Sequence, residues 1–137
     1  LDDFVPKYLS VIMKEEYRDF ISEVRIEGHT DDVFMHKNPC NHYDDTYFRN
    51  LALSQQRALI VLEYILNSKE YSRRTTKEKK LAQFWFTANG LSYGRMLDEK
   101  GELIFNTKRK ASRDLSRRVE FRIVTNSSEL IQQFKSK

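Results

Sequence analysis

A single cysteine, Cys40, among 137 residues leaves no intramolecular disulfide, so packing alone must hold the core. Four glycines and two prolines are too few for a collagenous or low-complexity chain. No apolar run reaches the roughly 18 residues of a membrane helix, and the basic-then-apolar pattern of a signal peptide is missing from the N-terminus. Nor is there an initiator methionine. A start at Leu1 reads as an excised soluble part, with any membrane anchor expected upstream. What is present is the composition of an ordinary globular protein, 39% hydrophobic and 32% charged, and the length suits one domain over 1–137.

The net charge of +4 is modest, but its basic residues cluster. One stretch carries Lys69, Arg73, Arg74, Lys77, Lys79 and Lys80; the other carries Lys108, Arg109, Lys110, Arg113, Arg117 and Arg118. Runs of this kind are read first as solvated surface. With Tyr71 and Tyr93 as base-stacking partners they also permit a nucleic-acid-binding module. No recognition helix or aromatic RNA-binding motif accompanies them, and 20 acidic residues offset the 24 basic ones.

Periodicity supplies a coarse layout. Phe4, Tyr8, Val11 and Ile12 recur at helical spacing, which predicts a leading helix within 1–22. Polar and apolar residues alternate from Glu23 to Glu27, which predicts a strand ending at Gly28. A long loop is expected from Thr30 to Arg49, because Asn38, Pro39, Asn41, Asp44 and Asp45 supply turn chemistry. Leu51, Ala58, Val61, Leu62 and Ile65 predict a helix over 50–66. A short buried strand is expected at Phe84 to Thr87, then a loop through Gly94 and Gly101. Val119, Phe121 and Ile123 alternate with charged residues in a last strand, and Ser127 or Ser128 is positioned to cap a terminal helix in the 125–137 tail.

Three blocks fall on these elements in order: Ile26-Glu27-Gly28-His29-Thr30-Asp31, then Asn50-Leu51-Ala52-Leu53-Ser54-Gln55-Gln56-Arg57-Ala58, then Ser116-Arg117-Arg118-Val119-Glu120. Together they resemble the OmpA/MotB C-terminal peptidoglycan-binding domain family. That resemblance implies an α+β fold, an OmpA-like β-α-β-α-β sandwich with a small mixed sheet and helices packed on one face. The chain departs from the family pattern in carrying 18 residues, 32–49, between Asp31 and Asn50, read as an inserted loop, and in Ser116, where the family has Asn. The middle glycine-rich turn is only loosely matched by Ser92-Tyr93-Gly94.

The family grips the diaminopimelate residue of the peptidoglycan stem peptide, whose free end is a zwitterion. A carboxylate must face its ammonium and a guanidinium its carboxylate. By resemblance those are Asp31 and Arg57, with Thr30 and Asn50 adding polar contacts, Leu53 lining the wall, and Arg117 or Arg118 facing the site. Helix N-terminal N–H groups near Asn50 are expected to favour the ligand's carboxylate. The resemblance implies a non-catalytic, cofactor-free periplasmic domain of a bacterial protein anchored in the inner or outer membrane. Its partner would be peptidoglycan, with a homodimer formed through upstream segments; the parent's kind, stator subunit, porin or lipoprotein, stays open, with a lean to the stator. A dimerisation or docking domain without ligand is the other alternative to nucleic acid.

His29 is read as structural, making a turn hydrogen bond, since no nucleophile motif accompanies it. His36, Cys40 and His42 offer zinc-compatible donors in the inserted loop, but their spacing matches no standard finger and no metal site is expected there.

Overall fold

The computed structural model describes residues 1–33 and 45–126. The inserted loop's His36, Cys40 and His42, and the expected terminal helix, lie outside the described residues. The fold is α+β: seven helices, a three-stranded sheet in the order β2-β1-β5 and a two-stranded ribbon β3-β4 are found among the described residues.

The leading helix is two helices, α1 (Phe4–Ile12) and α2 (Glu15–Arg18), because Lys14 adopts an extended backbone that breaks the run expected over 1–22. β1 (Ile21–His29) runs through Gly28 to His29, one residue past the expected end. α3 (Asp45–Leu66) starts five residues before Asn50. The basic stretch that follows is helical, in α4 (Lys69–Ser72) and α5 (Thr76–Trp85). Its start signal is the Thr75-Thr76-Lys77-Glu78 capping box: Thr75 Oγ1 accepts from Glu78 N at 3.2 Å and Thr75 N donates to Glu78 Oε1 at 3.2 Å. The expected strand at Phe84 is instead the end of α5, and β2 is Phe86–Gly90. Within the expected loop lie β3 (Leu97–Asp98), α6 (Ile104–Thr107), β4 (Ala111–Ser112) and α7 (Arg113–Ser116), each too short to print a period in the sequence. β5 is Arg118–Thr125.

The large sheet is mixed. Beyond the paired ends of β1 and β2, Leu91 N donates to Gly28 O at 3.0 Å and Thr30 N to Ser92 O at 2.9 Å, so residue numbers rise together as in parallel strands. Against β5 they run oppositely: Asn126 N donates to Phe20 O at 2.7 Å and Ser22 Oγ to Val124 O at 3.0 Å. The ribbon is antiparallel, with Leu97 opposite Ser112.

Contacts divide the chain into two compact units. The first comprises 1–25, 62–87 and the segment from Arg122, with Val5, Leu9, Ile12, Val24, Ile65, Ala82 and Trp85 buried in it. Trp85 satisfies its one donor by giving Nε1–H to Ile21 O at 3.0 Å. Arg18 and Glu78 pair at 3.0 Å, and the Thr75 N–H hydrogen bond, helped by Arg74 and Arg18, holds the Glu78 carboxyl below the usual range. The second unit, 26–61 and 88–121, buries Ile26, Ala58, Val61 and Met96. It also buries an unusual set of polar side chains, among them Glu27, His29, Thr30, Asp31 and Asn50.

Within the second unit, helix α3 lies directly on the strand ends. A Cβ on Gly28 would sit 2.0 Å from Ser54 O, and one on Gly90 2.6 Å from Gln55 N. Ser54 Oγ in turn accepts the N–H of Ser92 at 3.1 Å. Ser92 holds φ 53° at the turn where a glycine would be expected, and its hydroxyl donates to Tyr47 O at 2.7 Å. These contacts set where α3 carries Asn50, Leu53 and Arg57.

No helix among the described residues is long and apolar enough to cross a membrane.

Candidate functional site

Asn50, Leu53 and Arg57 are spaced by three and four residues, which places them on one face of α3. The chain leaving β1 supplies Thr30, Asp31 and Val33, and the bend before β5 supplies Arg117. These seven side chains line one cavity of about 170 Å3, all of it within the second unit. That is below the ~300 Å3 at which ordinary small-molecule pockets begin, so it suits the end of one side chain rather than a whole cofactor.

The cavity's floor carries buried polar side chains. Asp31 is 4% exposed; its Oδ1 accepts the Val33 N–H at 3.0 Å in a local turn, while Oδ2 has no hydrogen-bond partner. Arg117 Nε stands 3.4 Å from Oδ2, and the same guanidinium also pairs with Asp114. Thr30 Oγ1 is likewise buried without a hydrogen-bond partner. Arg57 is half-buried and makes no ion pair or hydrogen bond with the described residues. Buried polar atoms left unsatisfied are uncommon in folded proteins and call for an explanation. Here a carboxylate oxygen paired only with Arg117 and a guanidinium that pairs with none of the described residues face one small cavity, an arrangement able to take a zwitterion.

The two arginines of the third block separate. Arg117 lines the cavity; Arg118, the first residue of β5, is turned to Glu120, with Nε 2.5 Å from its Oε1, and does not line it. The structure therefore does not bring Arg118 to the site. Asn50 also differs from expectation. It lies in the second turn of α3, and its Nδ2 donates to Thr46 O at 3.0 Å, so the helix's first-turn N–H groups are a turn upstream and not beside it. Arg57 lies in the fourth turn of α3.

His29 corrects another expectation. It is 1% exposed and neither ring nitrogen has a hydrogen-bond partner, so the turn hydrogen bond assigned to it is not made. Its Nε2 lies 3.8 Å from both Glu27 Oε1 and Glu120 Oε2. Burial, with Arg118 beside it, holds its pKa below the usual histidine range against the pull of Glu120 and Glu27, which favours the neutral ring at pH 7. Sequence reasoning missed Val33, Glu27 and Glu120. The i, i+2 alternation of Glu27 and His29 on one strand was a signal that those two share a face; nothing in the sequence placed Glu120 beside them.

A larger cavity of about 670 Å3 lies in the first unit between Asp2, Val5 and Pro6 and the 64–73 segment, but Val5 alone of its lining residues is buried. It has volume without desolvated polar groups to confer specificity.

No family model matches the chain. In sequence it is 40% identical over 129 residues, 93% of its own length, to Zorya protein ZorB of Escherichia coli strain Crooks. It spans about half, 47%, of that protein, so the cavity built from Thr30, Asp31, Asn50, Leu53, Arg57 and Arg117 lies in a chain similar to part of a ZorB protein.

Proposed function

We propose that the chain is a peptidoglycan-binding domain of the OmpA/MotB type, the corresponding segment of a ZorB-like protein, and that it binds the diaminopimelate end of the stem peptide without catalysis. The observation that carries this reading is that Asp31 Oδ2, ion-paired to Arg117 but without a hydrogen-bond partner, shares a cavity with Arg57, which pairs with none of the described residues. The ligand's ammonium sits against Asp31, sharing it with Arg117, and the ligand's carboxylate takes the Arg57 fork in two parallel charge-assisted hydrogen bonds. Leu53 and Val33 keep water from the aliphatic stem. On this reading the domain holds a membrane-anchored parent to the wall from the periplasm, and the parent dimerises through upstream segments.

The charge pattern speaks against nucleic acid as the partner. Arg74 is held by Glu70 at 3.3 Å and Glu78 at 3.4 Å, Arg109 by Asp98 at 3.6 Å, and Arg113 by Asp32 at 3.5 Å. Of the tyrosines available for base stacking, Tyr71 is buried and Tyr93 packs edge-on against Tyr47, with ring centroids 5.5 Å apart.

Co-sedimentation with purified sacculi tests the reading. The chain should pellet with diaminopimelate-containing sacculi at both low and moderate salt, and Lys69→Ala and Lys108→Ala should pellet as well as the parent. Retention on duplex DNA instead, falling steeply with salt as counterions are released, would overturn it.

A further inference from the structure

We propose that Glu27, His29 and Glu120 form a binding site for one divalent transition-metal cation of the Zn2+ class. β1 presents Glu27 and His29 two residues apart on one face, and the neighbouring strand β5 brings Glu120 to them. One ligand atom from each, the imidazole Nε2 and two carboxylate oxygens, all lie within 4.8 Å of one another, with Nε2 3.8 Å from both oxygens. A tetrahedral ion with bonds of about 2.0 to 2.2 Å holds its ligands roughly 3.3 to 3.6 Å apart, so rotamer adjustments short of a backbone shift close the site.

The second observation is His29 itself. An imidazole that is 1% exposed, with neither nitrogen hydrogen-bonded and Nε2 3.8 Å from one oxygen of each carboxylate, presents a buried, unpartnered ligand atom at the position a cation would take. Two carboxylates balance a divalent charge, and one nitrogen with two oxygens suits zinc-like ions better than calcium or magnesium, which take oxygens. Arg118 holds Glu120 Oε1 at 2.5 Å and leaves Oε2 facing His29, the kind of outer partner that orients a metal-ligating carboxylate. The Glu120 side chain is 38% exposed, which gives the ion an entry path and a fourth position for water. Occupancy ties β1 to β5 one residue before Thr30. The site shares no side chain with the zwitterion cavity and does not depend on that reading.

The test uses the whole chain with His36, Cys40 and His42 changed to alanine, which removes the competing donors of the inserted loop. Equilibrium dialysis should find one equivalent of Zn2+, and Co2+ should give the visible absorption of a four-coordinate site. His29→Gln and Glu120→Gln should each weaken both by at least about tenfold, the lower bound for losing even an outer partner. Glu120 is partly exposed, so Glu120→Gln should keep the parent's circular dichroism and decide the matter if His29→Gln does not fold. No stoichiometric metal, metal that binds equally well to the folded variants, or metal lost with the three loop donors would each overturn the proposal.

Discussion

Arg57→Ala and Asp31→Ala are each expected to weaken binding of a diaminopimelate-containing muropeptide by about thirtyfold to several thousandfold. Removing one member of a desolvated charge pair costs roughly 2 to 5 kcal/mol, because the partner charge stays behind unmatched. At about 1.4 kcal/mol per factor of ten, that consumes most of the ~4 to 8 kcal/mol available to a small ligand bound between millimolar and micromolar levels. Asp31 Oδ1 also closes a turn onto Val33 N, so Asp31→Asn is the informative companion: it keeps that acceptor and removes the charge. Arg117→Ala should have a smaller effect, since Arg117 competes with the ligand's ammonium for Asp31 as well as helping to line the cavity. Calorimetry on the four variants, with circular dichroism as the folding control, checks the ranking. Parent-like affinity in both Arg57→Ala and Asp31→Asn would remove the site.

The largest loss of stability is expected from Gly28→Ala. The new Cβ would stand 2.0 Å from Ser54 O and 2.8 Å from Ser54 C, both backbone atoms of α3 that no rotamer change can move. Restoring ordinary contact, with carbons about 3.5 Å or more apart, requires the helix to back away by roughly 1 Å or more. Overpacking typically costs about 1 to 3 kcal/mol, and a clash with rigid backbone belongs at or above the upper end. For a chain of this size the melting temperature should fall by about 10 °C or more. Because α3 carries Asn50, Leu53 and Arg57, the same shift should weaken muropeptide binding in whatever folded protein remains. Gly94→Ala is the matched control: the nearest atom to its Cβ would be 3.6 Å away, and its melting temperature should change little. Equal melting curves for Gly28→Ala and Gly94→Ala would contradict the packing described for α3 on β1.

The candidate site residues were named by the OmpA-like resemblance, and regular patterns explain why the structure brings most of them to one cavity. Asn50, Leu53 and Arg57 are separated by whole helical turns, so an error of five residues in where α3 begins leaves them on one face. That error did mislead on electrostatics, since it placed free helix-terminal N–H groups beside Asn50. Thr30 and Asp31 follow a strand whose alternation was plain, and the OmpA-like blocks tied the two elements together. Arg117 and Arg118 could not be told apart, because the boundary between bend and strand decides which guanidinium reaches Asp31. Glu27, His29 and Glu120 were beyond sequence reasoning for a different reason. Their meeting depends on β5 lying beside β1, and periodicity carries no information on strand order. Helix α5 carries one local signal, its Thr75 to Glu78 capping box, inside a run of lysines and arginines whose charge is the more prominent feature of the sequence. The elements from β3 to α7 span two to four residues each, and their structure comes from contacts such as Ser116 Oγ accepting Leu97 N at 3.0 Å, not from any repeat.

Whether the cavity reads both charges of a zwitterion is decided by one calorimetric titration: the unmodified chain against two muropeptides that differ only at the third stem residue, diaminopimelate in one and lysine in the other. Lysine keeps the ammonium that Asp31 faces and lacks the carboxylate that Arg57 faces. The diaminopimelate form should bind, and the lysine form should bind about thirtyfold or more weakly, the same lower bound as for Arg57→Ala. Equal affinity for the two, or no binding of the diaminopimelate form by the folded chain, would contradict recognition of both charges.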